Sequence, residues 1–233
     1  MQTALVTGGE QGLGWGFVEY LLSKGWQVYA TTRRMSEQLP QKPQLSWVPL
    51  ELGSDASIRQ VVERLSSEIG QLDLLVNNAG VNKDTATNGQ KERAATLGHL
   101  DRDTLLMMYD INAVAPILLT QALVPLLTGS PSFVINISSC RASFADEFGN
   151  DFGNYGYRAS KAALTMLTHC LTWDLPPHIQ TYSVHPGSVR STMNPTGTDE
   201  PVEAAKAIVA IRETWQPEHN GQFFRYSGEL YPR

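Results

Sequence analysis

The sequence predicts an α/β chain in which one doubly wound, mostly parallel sheet carries helices on both faces. Three observations predict it. Short runs of aliphatic and β-branched residues alternate with longer helical stretches along the whole chain. The short runs are about five residues long and continuously apolar, the pattern of parallel strands covered on both faces. A glycine-rich turn stands between the first strand and the first helix, where open α/β sheets place their ligand turn.

Taken in order, Ala4 to Val6 is the first strand, Gly12 to Ser23 the first helix and Trp26 to Ala30 the second strand. Leu45 to Leu50 is a strand, Ile58 to Ile69 a helix and Leu72 to Val76 a strand. A long helix from Leu105 to Leu127, the strand Ser132 to Ile137, a helix from Tyr157 to Leu175 and the strand Ile179 to His185 continue the rhythm. Pro201 fits the first turn of a helix from Val202 to Ile211, where a missing N–H costs nothing. Arg212 to Arg233 adds a short strand around Gly221 to Tyr226 and a tail. Loops fall where Gly, Asn and Pro gather, at Ser143 to Gly156 and Gly187 to Pro201. Nothing resembling a repeat or linker divides the 233 residues, so one domain is expected.

Composition narrows the partners. Lys plus Arg number 18 against 23 Asp plus Glu, a net charge of −5, so no basic field exists to collect nucleic acid or an anionic membrane. The first strand starts too near Met1 for a secretion signal, and no apolar run approaches the roughly 20 residues of a membrane span. A cytoplasmic protein is expected. Cys140 and Cys170 have neither metal-site nor disulfide-scaffold spacing, and the five histidines are scattered, so no metal is expected.

Two clusters carry chemistry. In Thr7-Gly8-Gly9-Glu10-Gln11-Gly12-Leu13-Gly14, Gly8 permits a tight turn, and Gly12 and Gly14 lack the Cβ that would keep backbone from a pyrophosphate. The N–H groups of the following helix offer that anion a positive dipole. In Tyr157-Arg158-Ala159-Ser160-Lys161 a phenol and an ammonium lie on one helix face, and a nearby cation favours phenolate, which makes an acid/base. Tyr155 is a rival phenol but points to a different face. Upstream, the strand ending at Ile137 delivers Ser138 and Ser139 to the carboxyl edge of the sheet, where Ser139 can hydrogen-bond a substrate oxygen.

Thr7-Gly8-x-x-x-Gly12-x-Gly14, Asn77-Asn78-Ala79-Gly80, Asn112, Ser138-Ser139, Tyr157-x-x-x-Lys161 and Pro186-Gly187 stand in the order typical of the short-chain dehydrogenase/reductase family, which the chain resembles over essentially its whole length. Asn154 to Leu164 and Asn220 to Phe224 are similar to the C-factor and sniffer-type carbonyl reductases within it. The resemblance implies a single-domain Rossmann fold, a nicotinamide cofactor and a tetrad of Asn112, Ser139, Tyr157 and Lys161. Tyr157 exchanges a proton with the substrate oxygen. Lys161 lowers the Tyr157 pKa and holds the nicotinamide ribose. Ser139 orients the carbonyl, with Ser138 or Ser143 as alternatives. Asn112 interrupts a long helix and positions a water that relays protons to Lys161.

The cofactor residues implied are Gly8, Gln11, Gly12, Leu13, Gly14, Thr32, Arg33, Arg34, Glu51, Leu52, Asn78, Ala79, Gly80, Tyr157, Lys161, Pro186, Gly187, Val189 and Ser191. Three features depart from the family pattern: a long loop between Ser139 and Tyr157, Trp15 after the last glycine, and Glu51 in place of a frequent aspartate. Where NAD-preferring relatives carry an acid at the end of the second strand, this chain has Thr32 followed by Arg33 and Arg34, so NADP(H) is expected over NAD(H). Gln11 weighs the other way, because NADP-preferring relatives often place a base there. The substrate loop, Ser188 to Pro201, has few charges, which favours a small neutral carbonyl or alcohol as substrate. A homo-oligomer, dimer or tetramer, is expected by family analogy. The alternative function is a cofactor-binding signalling protein with little turnover on the same fold.

Overall fold

The computed structural model describes residues 1–82, 96–145 and 153–233. Seven strands form its sheet: β1 (Thr3–Val6), β2 (Gln27–Thr32), β3 (Leu45–Pro49), β4 (Leu74–Asn77), β5 (Ser132–Ile137), β6 (Ile179–His185) and β7 (Phe223–Arg225). Their order is β3-β2-β1-β4-β5-β6-β7 and every neighbouring pair is parallel. The helices are α1 (Gly12–Ser23), α2 (Asp55–Glu68), α3 (Arg102–Tyr109), α4 (Ala115–Leu123), α5 (Tyr155–Asp174) and α6 (Pro201–Ala210).

Each strand feeds two separate cores, which is why its sequence shows no alternation. Ala4 and Val6, Leu74 and Val76, and Phe133, Ile135 and Ile137 point into one core with Phe17 of α1 and Ile208 of α6. Their neighbours Leu5, Leu75 and Val134 point into the other with Leu65 of α2 and Leu119 of α4. A strand covered on both faces is apolar at every position. Strand order reverses between β1 and β4, so the carboxyl ends of these two strands open a crevice, the usual ligand position in such sheets.

A buried polar chain ties the sheet to α5. The Asn77 amide donates to Asn136 Oδ1 at 2.8 Å, and the Asn136 amide donates to Thr168 Oγ1 at 2.9 Å. Paired groups of this kind fix relative positions because each would be costly if left alone.

The long helix expected from Leu105 to Leu127, interrupted at Asn112, is divided into α3, a π-helical turn Asp110–Val114 that contains Asn112, α4 and a 3₁₀ turn Val124–Leu126. Pro116 is the physical reason available: with no N–H it cannot donate to the Asn112 carbonyl four residues earlier, so the α-helical ladder cannot run through this point. The stretch Arg102–Leu126 is also long and apolar enough to cross a membrane, contrary to the reading that no apolar run approaches that length. Its apolar side is accounted for by packing, since Met108, Ala113, Leu119 and Leu123 are buried.

Elsewhere the boundaries move by a few residues. The helix expected from Tyr157 begins at Tyr155, and the final strand spans Phe223–Arg225. Trp15 stacks on Trp47 with ring centroids 6.4 Å apart, so the unusual aromatic after the last glycine packs against β3. Part of the expected loop Ser143 to Gly156, residues 146–152, lies outside the described residues.

Candidate active site

The turn after β1 is built by cross-links to its neighbours. Thr7 Oγ1 accepts the N–H groups of Asn78 and Ala79, both at 3.0 Å, while the Asn78 amide donates back to Thr7 O at 2.9 Å and Gly8 O at 3.2 Å. Gly8 N–H reaches Thr31 Oγ1 at 3.1 Å, and Gly9 N–H reaches Thr31 O at 3.0 Å. The turn is therefore clamped to β2 and β4 at once.

Its glycines leave no room for a side chain. A Cβ on Gly14 would lie 2.0 Å from the Gly8 oxygen and 2.6 Å from Asn78 Nδ2, and Gly8 and Gly12 have φ of +63° and +51°. Gly14→Ala is therefore expected to weaken dinucleotide binding at least about tenfold and to destabilise the fold by about 1 to 3 kcal/mol, as overpacking does. A thermal melt and a nucleotide titration read the two effects. An unchanged melt and affinity would mean that the turn relaxes freely.

The crevice is a cleft of about 660 Å³, within the range of cofactor and small-molecule sites. Gly8, Gln11, Gly12, Leu13 and Gly14 line one wall, with Thr32 and Arg33 at the end of β2. Glu51 and Leu52 line the side next to β3, and Asn78, Ala79 and Gly80 the floor after β4. Pro186, Gly187, Val189 and Ser191 line the opposite rim, and Ser139, Tyr157 and Lys161 stand at its inner end. Asn78 to Gly80 sit between the glycine turn and the Lys161 end.

Arg34 is a correction. It is exposed and does not line the cleft, because the chain turns outward after Thr32, where Arg34 N–H bonds Thr32 Oγ1 at 3.1 Å. Asn112 is a second. Its fully buried amide does not line the cleft; it accepts from Val81 N–H and donates to Val81 O, both at 2.8 Å, and donates to Ser160 Oγ at 3.0 Å. A Cβ on Gly80 would lie 3.1 Å from Asn112 Oδ1 and 3.4 Å from Lys161 Nζ, so the two side chains flank Gly80. Asn112 thus holds the segment after β4 against α5.

The serines separate cleanly. Ser138 Oγ donates to Lys161 O at 3.2 Å and shares a 2.8 Å hydrogen bond with Thr165 Oγ1, a structural tie between β5 and α5. Ser143 Oγ accepts from Ala145 N–H and stays off the cleft. Ser139 is the hydroxyl hydrogen-bonded to the Tyr157 phenol, and that bond favours the phenolate. Tyr155 faces solvent.

Burial raises the Tyr157 pKa above its usual value, opposed by the Ser139 hydrogen bond and by the charge of Arg141. The Lys161 ammonium lies 5.9 Å from the phenol ring centre and donates to Ile137 O at 2.7 Å. Burial lowers its own pKa to about 8.

Several cleft residues escaped the sequence reading, Arg141, Cys140 and Glu10 among them. Arg141 and Cys140 follow Ser139 on a short 3₁₀ turn, and their loop setting carried no signal. Glu10 stands inside the glycine motif beside Gln11, and its carboxylate accepts a hydrogen bond from Thr32 Oγ1. Among the described residues no group of three His, Cys, Asp or Glu side chains is arranged to hold a metal ion.

A parallel sheet with a glycine turn at its topological switch point, and a buried Tyr–Lys–Ser group at the inner end of the same cleft, defines a class: dinucleotide-binding α/β enzymes. The chain belongs to the short chain dehydrogenase family, whose model matches residues 2–201. The C-signal protein of Myxococcus xanthus is 33% identical over 166 residues, 70% of this chain and 93% of that protein. Among solved structures, the NADPH-bound carbonyl reductase from chicken fatty liver is 31% identical with a TM-score of 0.85, covering 100% of this chain and 99% of that one. The carbonyl reductase Sniffer of D. melanogaster is 27% identical with a TM-score of 0.87 and complete coverage of both chains. The chain is an oxidoreductase with a Rossmann fold, and it resembles the C-factor and sniffer-type carbonyl reductases.

Proposed function

We propose that this protein reduces a small neutral aldehyde or ketone to the alcohol with NADPH, using Ser139, Tyr157 and Lys161. The observation that carries the reading is geometric: the Tyr157 phenol, hydrogen-bonded to Ser139 and close to Lys161, stands at the inner end of the cleft, where it can give a proton to a bound carbonyl oxygen. The cleft fits a dinucleotide, since the glycine turn has no space for side chains where a pyrophosphate would approach and α1 opens immediately behind it. When bound, the reduced nicotinamide supplies the hydride. Ser139 donates a hydrogen bond to the carbonyl oxygen, which polarises the carbonyl and stabilises the charge that grows on that oxygen. Tyr157 then transfers its phenolic proton to the same oxygen, completing the alcohol. Lys161, held on Ile137 O, supplies positive charge at the end of α5 that faces the cleft. Asn112 positions Val81 and Ser160 rather than touching reactants.

NADP(H) preference rests on Arg33, which lines the cleft beside Thr32, and on the NADPH-bound state of the chicken enzyme. One charge-assisted contact contributes about 1.5 to 3 kcal/mol, so Arg33→Ala is expected to lower kcat/KM for NADPH about tenfold to a hundredfold through KM. NADPH consumption followed by absorbance with a panel of carbonyl compounds tests both claims. No turnover across the panel would refute the reductase reading, and an unchanged KM in the variant would refute the role of Arg33.

The substrate loop supports a neutral ligand. Arg190 pairs with Glu200 at 3.1 Å, and Asp199 accepts Ser188 N–H at 2.7 Å, so these charges are engaged within the loop itself. We place the protein in the cytoplasm as a single-domain homo-oligomer that binds neither nucleic acid nor membrane. The exposed apolar side chains Leu106 and Tyr109 of α3 and Met166 and Trp173 of α5 support self-association.

A further inference from the structure

We infer that Glu10 reads the 2′ position of the adenine ribose and opposes Arg33 there, so that the balance of these two side chains sets the cofactor preference. The inference rests on the reading that the cleft takes a nicotinamide dinucleotide. In sheets of this type an acid at the end of the second strand accepts a hydrogen bond from the ribose 2′-hydroxyl and repels a 2′-phosphate. This chain has Thr32 at that strand end, which looks neutral in the sequence. In the structure the Thr32 hydroxyl donates to the Glu10 carboxylate, so an acid is brought to the position from the glycine turn.

The placement is enforced by backbone. Gly8 and Gly9 N–H bonds to Thr31 clamp the turn on β2, which leaves residue 10 beside the strand end. Thr32 is 2% exposed, and its oxygen accepts Arg34 N–H at 3.1 Å; of the two acceptors within reach of its proton, the Glu10 carboxylate is nearer than Arg34 O at 3.2 Å. Glu10, Thr32 and Arg33 all line the same end of the cleft. A ribose hydroxyl entering there meets a fixed acceptor. A phosphate meets a guanidinium and a carboxylate together, and the carboxylate must turn away before the guanidinium is used fully.

Isothermal titration with adenosine 2′,5′-bisphosphate and with 5′-AMP reads this without any substrate. In Glu10→Gln and Glu10→Ala the preference for the bisphosphate, taken as the ratio of the two dissociation constants, is expected to rise about tenfold over wild type, the scale of one charge–charge contact. Arg33→Ala is expected to move the same ratio in the opposite direction. Glu10 is exposed, so both of its variants retain the packed core. A ratio within about twofold of wild type in both variants would overturn the inference while leaving the dinucleotide reading intact. A wild-type protein that binds neither nucleotide would overturn both. An Arg33→Ala ratio equal to wild type, with Glu10 variants shifted, would uphold Glu10 and remove Arg33.

Discussion

Tyr157→Phe is expected to lower reductive turnover by about 10² to 10⁴, the contribution of a positioned general acid, with little change in dinucleotide affinity. The substitution deletes one oxygen and keeps the ring, so packing between α5 and the β5 end of the cleft is retained. What it removes is the proton that burial keeps on the phenol at neutral pH, together with the partner of the Ser139 hydroxyl. Ser139 and the cleft remain, so a residual rate from orientation and oxyanion stabilisation should persist. Tyr155→Phe is the matched control, because that phenol faces solvent two residues away. Steady-state kinetics decide it. A Tyr157→Phe enzyme within a few-fold of wild type, or a Tyr155→Phe enzyme as impaired as Tyr157→Phe, would take the proton transfer away from Tyr157.

The parts of this site that were legible in the sequence are those whose chemistry is written in local spacing. Gly8, Gly12 and Gly14 announce a turn without side chains, and Tyr157 and Lys161 share a helix face because four residues make about one turn. Strand boundaries were equally plain for β5 and β6, found as read. The interruption of the long helix at Asn112 was legible only through the family resemblance, while its backbone reason lies in Pro116 four residues on.

Contacts between distant segments were beyond the sequence. Ser138 and Ser139 are adjacent, yet pleating sends one into α5 and leaves the other at the cleft, and only the register of β5 against α5 decides which. Thr32 read as a neutral strand end until folding brought Glu10 across 22 positions to its hydroxyl. Arg34 read as half of a basic pair until the turn carried it outward. Helix spacing puts Lys161 on the face of Tyr157 but does not show that its ammonium donates to the carbonyl of Ile137.

Lys161→Met should separate the catalytic value of that ammonium from its cost to the fold. Met preserves most of the unbranched volume and cannot carry charge, so a loss of reductive turnover of about 10² or more is expected if the buried cation assists the reaction. Stability should respond to pH in the opposite sense to an ordinary paired lysine. Burial lowers the folded pKa to about 8, below the ordinary lysine value of 10.5 that the unfolded chain keeps. Below about pH 8 both states hold the proton, and the native state bears the full cost of a desolvated charge. Between about 8 and 10.5 the unfolded chain binds more protons than the native one, so wild-type stability gains with rising pH relative to a variant that has nothing to titrate there. The melting temperature of wild type minus that of Lys161→Met should therefore climb from pH 7 to pH 10. A flat difference would mean that Lys161 is not desolvated, and a turnover unchanged in the variant would mean that its charge does not reach the reacting oxygen.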